Sequence, residues 1–166
     1  EEVWFSPSKL ERILYNLLSN AFKYTQPGGY VKLSAKLIKE EKGTFVQISV
    51  KDNGRGIPKE AQEQIFESYY QVEKRDHREG FGLGLSLTRS LIHMHKGEIR
   101  VESEINKGSD FIVTLNVSED AYNPDERSSE NITTEEIQKY NQRIKETIEL
   151  IPEKLTNKEK DPARES

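Results

Sequence analysis

The sequence predicts an α+β two-layer sandwich, in which a mixed, mostly antiparallel sheet is covered on one face by helices. Two pairs of alternating segments resemble hairpins, and segments with helical periodicity lie before and between them. The 166 residues are 33% hydrophobic and 33% charged, with a formal net charge of −4. This length and composition suffice for one packed domain with an appendage.

The first half of the chain predicts a helix followed by a hairpin. Residues 3–5 form an extended entry, and Ser6 before Pro7 is a typical helix start. A helix over 8–25 would bury the stripe of Leu10, Leu14, Leu17 and Ala21. The runs 30–38 and 45–51 alternate as strands around a polar turn. Their inward residues are Val31, Leu33, Ala35 and Leu37 on one strand and Val46, Ile48 and Val50 on the other.

The second half predicts two more helices and a second hairpin. A short helix over 58–70 carries Ile65, Phe66 and Tyr69, and the polar run 71–80 is a loop. A helix over 82–94 would bury Leu83, Leu87, Leu91 and Met94. Strands over 97–103 and 109–117 are joined by a turn at 106–108, which completes the second hairpin.

The composition also excludes classes of function. The chain has no cysteine, which removes disulfide scaffolds, thiolate zinc sites and cysteine nucleophiles. Its longest apolar runs are a few residues, so we expect no membrane contact by this chain and no signal peptide. A mildly acidic chain lacks the clustered cations that phosphate backbones require, so we expect no nucleic-acid partner.

The charge predicts a domain edge near Ser118. Residues 1–118 carry 16 acids and 17 bases, whereas residues 119–166 carry 13 acids and 8 bases and few apolar residues. We therefore expect a folded domain over 1–118 and an acidic linker over 119–166. In the linker, a capping box at 133–136 precedes an apolar stripe of Ile137, Tyr140, Ile144, Ile148, Ile151 and Leu155. The stripe predicts an amphipathic helix over 134–151 before Pro152, and the polar end at 156–166 predicts disorder.

Three polar motifs point to a ligand. Asn16, Asn20 and Lys23 share one face of the first helix, which is either a solvated face or a set of groups for a metal and a phosphate. The loop 52–57 follows a strand, and its carboxylate and two glycines either make an ordinary turn or receive a planar ligand. The run 80–85 alternates glycines before a helix, where backbone amides can bind an anion.

In this order and spacing, the motifs resemble the ATP-binding catalytic domain of sensor histidine kinases. The same superfamily includes gyrase, the heat-shock chaperone ATPases and the mismatch-repair ATPases, which share the Bergerat-type ATP-binding fold. The resemblance covers about residues 1–118. It implies a protein-histidine kinase that uses ATP and Mg²⁺, in the cytoplasmic part of a sensor. The implied partners are a histidine-bearing dimerisation domain and a response-regulator receiver domain, and the acidic linker is similar to those of hybrid kinases.

The resemblance also implies a role for each matching residue. Asn20 would bind Mg²⁺, Asn16 would contact or align the phosphates, Lys23 would pair with a phosphate, and Tyr24 would line the ribose or adenine. Asp52 would accept a hydrogen bond from the adenine amino group. The other implied ATP contacts are Gly54, Gly56, Ile57, Gly80, Gly82, Leu83, Gly84, Leu85 and Ser109, with Lys74, Arg75 and Arg78 as candidate γ-phosphate contacts in a lid over 71–80. Phe81 and Asp110 depart from the family pattern.

The residue at position 16 distinguishes phosphoryl transfer from ATP hydrolysis within the superfamily, and here it is Asn16. Members that hydrolyse ATP carry a glutamate here as the general base, and a carboxamide cannot accept a proton at neutral pH. This favours transfer of the phosphoryl group to an acceptor that brings its own nucleophile. Glu11 lies off this face of the helix and is a poor substitute for the missing base. His77, His93 and His95 lack the acceptor motif of the family and are interpreted as surface or helix-end residues. The alternatives are a catalytically silent nucleotide-binding regulatory module, and a superfamily ATPase or serine kinase.

Overall fold

Two helices cover one face of a four-stranded sheet, which confirms the predicted α+β class. The structure is a computed structural model that describes residues 3–68, 70 and 84–128. Two single turns of 3₁₀ helix, Lys59–Ala61 and Gln64–Phe66, stand where one short helix was expected. The elements are α1 (Pro7–Tyr24), β1 (Val31–Glu40), β2 (Gly43–Asp52), α2 (Gly84–Met94), β3 (Glu98–Glu104), β4 (Gly108–Asn116) and α3 (Pro124–Ser128).

The sheet has the strand order β1-β2-β4-β3, and all three of its pairings are antiparallel. Both predicted hairpins are present. The pairing of β2 with β4 joins them and places Asp52 opposite Ser109. Because β4 is central, its run Phe111, Ile112, Val113 and Leu115 is buried.

The buried line of α1 differs from the predicted stripe. Ile13, Leu17 and Ala21 are buried, whereas Leu10 and Leu14 pack against the edge of the core. Helix α1 lies over β2 and β1, and α2 lies over β3 and β4. The helix begins as predicted, because the Ser6 hydroxyl accepts from the Lys9 backbone N–H at 3.3 Å.

The predicted face of α2 is only partly correct, because Leu91 is buried as expected but Leu87 and Met94 are not. Leu87 and Met94 are 49% and 61% exposed, while Thr88, Leu91 and Ile92 are buried. The inward face of α2 also contains a polar residue, Thr88, whose hydroxyl donates to the Gly84 carbonyl at 2.8 Å. Apolar periodicity does not reveal such a position. Leu83 of the predicted stripe lies outside the described residues.

The end of the sheet where β4 stops is closed by aromatic packing. His95 stands at the end of α2, one of the two expected placements, but it is buried and not on the surface, and its Nε2 accepts from the Ser6 backbone N–H at 3.1 Å. The Trp4 ring lies 4.2 Å from that of Tyr122, and the Trp4 backbone N–H donates to the Val117 carbonyl. Burial raises the pKa of Tyr122 to about 12, with a further contribution from Glu126. The packed unit therefore includes residues just beyond Ser118.

No helix within the described ranges is both long and apolar enough to cross a membrane.

Candidate functional site

The site is built around a buried carboxylate at the end of β2. Asp52 is 5% exposed, and its Oδ1 accepts from the Gly54 backbone N–H at 2.8 Å. Burial raises the pKa of Asp52, the backbone N–H groups of Gly54 and Ser109 lower it, and the charge of Asp110 raises it slightly. No cationic side chain in the described part of the chain pairs with this carboxylate. Such a group can accept hydrogen bonds from a ligand without competition from an ion pair.

Two glycines hold the loop after Asp52 against its neighbours. A Cβ on Gly54 would overlap the Tyr24 carbonyl oxygen and lie 2.9 Å from Asp52 Oδ1. Gly56 has a φ of +71°, and a Cβ there would overlap the Glu104 carbonyl group. These positions therefore require glycine on steric grounds, and they set the backbone beside Asp52.

A hydroxyl and amide network supports this loop, and the sequence motifs did not reveal it. Ser103 Oγ accepts from the Ile57 backbone N–H, donates to the Gly108 carbonyl, and lies 2.9 Å from Ser109 Oγ. Gln62 Nε2 donates to the carbonyls of Ile57 and Ser103. If the hairpin of β3 and β4 is centred on Asn106, Ser103 pairs with Ser109, so the position of the turn could have revealed this contact.

Tyr24, at the end of α1, contacts the loop after β2. The Arg55 guanidinium lies 4.3 Å from the Tyr24 ring centroid, and Lys23 Nζ lies 5.1 Å from it. The Arg55 backbone N–H donates to the Tyr24 carbonyl at 3.3 Å. The predicted residues at the end of α1 and those of the loop after β2 therefore lie side by side.

The polar face of α1 meets the start of α2. Asn16 Nδ2 donates to Thr88 Oγ1 at 3.0 Å and to the Gly84 carbonyl at 3.3 Å. Asn20 is half-buried one turn later and makes no side-chain hydrogen bond to the described residues. This contact brings the predicted asparagine motif to the helix that follows the alternating glycines.

The structure describes only part of the third motif. Gly84 and Leu85 begin α2, whereas Gly80, Gly82 and Leu83 lie outside the described residues. So do the predicted lid 71–80 with Lys74, Arg75 and Arg78, the position of Phe81, and Tyr69. Phe66 lies in the core, with its ring 6.3 Å from that of Phe111 in an edge-on arrangement.

Asp110, which departs from the family pattern, lies on the face of the sheet opposite to that of Asp52. It is paired with Lys51, one residue before Asp52, so it points to the opposite face of the sheet. There its Oδ1 accepts from Ser49 Oγ at 2.6 Å. Asp110 is therefore not part of the site.

Comparison with protein families gives a match over most of the described domain. Residues 6–119 match the family described as "Histidine kinase-, DNA gyrase B-, and HSP90-like ATPase". The chain is 43% identical over 115 residues to the adaptive-response sensory kinase SasA of a Synechococcus sp., and 43% identical to that of Crocosphaera subtropica. Each alignment covers 69% of this chain. The chain spans only about 30% of the length of these relatives.

Solved structures give the same result. The mycobacterial sensor histidine kinase MprB superposes with a TM-score of 0.59 at 26% identity, covering 69% of this chain and 74% of that one. Full-length ShkA, in complex with AMPPNP, superposes with a TM-score of 0.57 at 33% identity, covering 66% of this chain and 22% of that one. This chain therefore belongs to the histidine kinase-, DNA gyrase B- and HSP90-like ATPase family, as an ATP-binding catalytic domain of the sensor histidine kinase type.

Proposed function

We propose that this domain holds ATP over Asp52 with Mg²⁺ and transfers its γ-phosphate to a histidine on a separate dimerisation domain. The observation that carries the proposal is the Asp52 carboxylate, which is buried beside a glycine loop with no cationic partner in the described part of the chain. A buried carboxylate needs hydrogen-bond donors, and the adenine amino group is one. ShkA, a relative in structure, binds the ATP analogue AMPPNP.

The adenine end of the ligand lies, in this proposal, between the loop after β2 and Tyr24. Asp52 accepts from the amino group, and Ser109 supports Asp52 through its backbone N–H. Gly54 and Gly56 fix the path of the loop beside the ring, because a Cβ at either position would overlap the backbone of a neighbouring element. Ile57 adds an apolar contact, and its N–H is fixed by Ser103.

The phosphates lie, in this proposal, towards the start of α2. The first turn of this 11-residue helix presents backbone N–H groups at its positive end, from Gly84 and Leu85. Lys23 contributes an exposed ammonium from the end of α1. The remaining proposed contacts are those that lie outside the described residues: Gly80, Gly82, Leu83, Lys74, Arg75 and Arg78.

The oxygen atoms that the described side chains offer suit a magnesium ion that is held mainly by ATP. Within the described ranges, no three acidic, histidine or cysteine side chains are placed so that they could hold a metal ion together. Mg²⁺ prefers a few protein oxygens plus phosphates and water. The Asn20 carboxamide, which has no described partner, would supply that oxygen. Bound Mg²⁺ would neutralise charge on the phosphates.

Asn16 favours transfer rather than hydrolysis. Its amide nitrogen donates to Thr88 and to the Gly84 carbonyl, so the side chain fixes α1 against the start of α2. A carboxamide at this position cannot take a proton from water. The reaction would therefore depend on alignment of ATP with an acceptor that brings its own nucleophile.

The parent protein and its partners follow from the kinase proposal. We propose a cytoplasmic location for this domain within a two-component sensor, with a response-regulator receiver domain as the next acceptor. Names of the relatives support a sensory kinase. We also propose that residues 1–118 supply the catalytic unit, against which the start of the tail packs through Tyr122, and that the remainder of residues 119–166 forms a linker.

Transfer in trans tests this proposal. With γ-labelled ATP, Mg²⁺ and a supplied histidine-bearing dimerisation domain, we expect acid-labile label on that domain. Without the acceptor, we expect little release of inorganic phosphate. Strong binding of ATP with no transfer to any supplied dimerisation domain would instead indicate a silent regulatory module, and rapid release of phosphate by the chain alone would indicate an ATPase.

Asn20→Ala serves as the matched variant in the same assay. Loss of an oxygen that binds the metal should lower transfer by about 100- to 1,000-fold, since removal of one group that stabilises charge in the transition state typically costs about 2.7–4 kcal/mol. Binding of ATP measured in EDTA should stay unchanged, because Asn20 is not placed against the adenine.

A further inference from the structure

The carboxamide of Asn16 has a defined orientation, because both groups that it meets on α2 are acceptors. Its Nδ2 donates to Thr88 Oγ1 at 3.0 Å and to the Gly84 carbonyl at 3.3 Å. The Thr88 hydroxyl donates its single hydrogen to the same Gly84 carbonyl, at 2.8 Å. Thr88 therefore meets Asn16 with a lone pair, and both hydrogens of the Asn16 amide nitrogen are committed to α2.

The reversed orientation of this carboxamide is disfavoured. The Asn16 oxygen would then face the Gly84 carbonyl oxygen, so that two acceptors would meet without a hydrogen between them. The Thr88 hydroxyl would also have to serve two acceptors with one hydrogen. The observed orientation satisfies all three groups, and it leaves Asn16 Oδ1 without a hydrogen-bond partner among the described residues.

We propose that Thr88 is a positioning residue for phosphoryl transfer, which fixes the Asn16 carboxamide so that its oxygen, and not its nitrogen, is left for the nucleotide. This inference rests on the proposed function, in which the phosphates lie towards the start of α2. Phosphate oxygens are themselves acceptors, so an amide oxygen beside them suits a cation or a hydrogen-bond donor, and Mg²⁺ is such a cation. Thr88 would thereby set which groups Asn16 can align.

The contact with α1 distinguishes Thr88 from an ordinary hydroxyl in a helix. A bond from a hydroxyl to the carbonyl four residues earlier is a common local contact. Ser90 makes the same contact with the Ser86 carbonyl at 3.1 Å, on the exposed side of α2. Thr88 is fully buried, and its oxygen also accepts from Asn16. Ser90 therefore offers a matched control that has only the local bond within the described part of the chain.

Thr88→Val in the full 166-residue chain tests the proposal, because valine keeps the shape of threonine but has no oxygen. The Asn16 amide then loses one acceptor and can turn. Calorimetric titration with ATP, once with Mg²⁺ and once in EDTA, measures the gain in affinity that the metal provides. We expect this gain to fall about tenfold, as the loss of one hydrogen bond predicts. The kcat of transfer to a supplied dimerisation domain should fall by a similar factor, with an unchanged KM for that domain.

Two further variants separate positioning from packing. Thr88→Ser keeps the hydroxyl but loses a buried methyl group, so it should lower the midpoint of thermal unfolding. It should nevertheless keep the metal-dependent gain and kcat within about twofold of the unaltered chain, as should Ser90→Ala. Unchanged values in Thr88→Val, or equal losses in Thr88→Ser, would overturn the role of Thr88 and leave the proposed function intact. Absence of ATP binding by the unaltered chain would contradict the proposed function itself, and this role with it.

Discussion

Asp52→Asn is expected to weaken ATP binding by about 10- to 100-fold, which corresponds to the loss of one hydrogen bond to a buried charged group. The carboxylate accepts from the adenine amino group in the proposed complex, whereas an asparagine there presents either a weaker acceptor or a second donor. The fold should persist, because asparagine can still accept from the Gly54 N–H. We expect the free energy of unfolding to change by less than about 1 kcal/mol, since removal of the buried charge offsets a weakened acceptor. Calorimetric titration with ATP checks the affinity.

Asp110→Asn is the matched control for this substitution. It removes a carboxylate from the same end of the sheet but from the opposite face, where Asp110 is bonded to Ser49. ATP affinity should stay within about twofold of that of the unaltered chain, which is roughly 0.4 kcal/mol. Equal losses in the two variants would mean that general charge, and not the Asp52 contact, governs binding.

Gly56→Ala is expected to destabilise the domain by about 2–4 kcal/mol, because the φ of +71° disfavours any side chain. The new Cβ would also overlap the Glu104 carbonyl group, which belongs to the backbone and cannot swing away. The same loop is held by the Asn106 N–H, which donates to the Arg55 carbonyl at 2.8 Å. Denaturant unfolding, followed by far-ultraviolet circular dichroism, measures the change in the free energy of unfolding.

Gly84→Ala is the control for the loop glycine. A Cβ there meets no heavy atom within 4 Å among the described residues, and alanine is a better helix former. We expect the free energy of unfolding to stay the same or to rise by up to about 1 kcal/mol. If Gly56→Ala changed the free energy of unfolding no more than Gly84→Ala does, the close contact between this loop and β3 would be contradicted.

The local pattern of the sequence predicted the hairpins and α1, because turns and helix caps depend on nearby residues. It did not predict the pairing of β2 with β4, which joins segments about 60 residues apart and depends on the whole core. Two of the residues predicted to face inward from α2, Leu87 and Met94, are exposed instead. Thr88 in the helix and His95 just after it are buried, with hydrogen-bond partners inside the protein. Apolar periodicity cannot identify such positions.

The site was predictable to the extent that a motif marks it. Asp52 and the glycines at 54 and 56 stand in a short pattern, and the structure places them beside Tyr24, which the same resemblance implied. Ser103 and Gln62 belong to no motif and support the loop from a strand and a turn that are distant in sequence. Their roles depend on the register of the paired strands, which a short sequence motif does not determine.

Whether Asp52 receives the adenine amino group is best tested by a parallel titration of the unaltered chain with ATP and ITP in the presence of Mg²⁺. Inosine carries a carbonyl oxygen where adenine carries the amino group, so two acceptors would face each other in a buried site. We predict that ITP binds about 100-fold more weakly, as sites built for a hydrogen-bond donor discriminate strongly against its loss. Equal affinities for the two nucleotides would contradict the role proposed for Asp52.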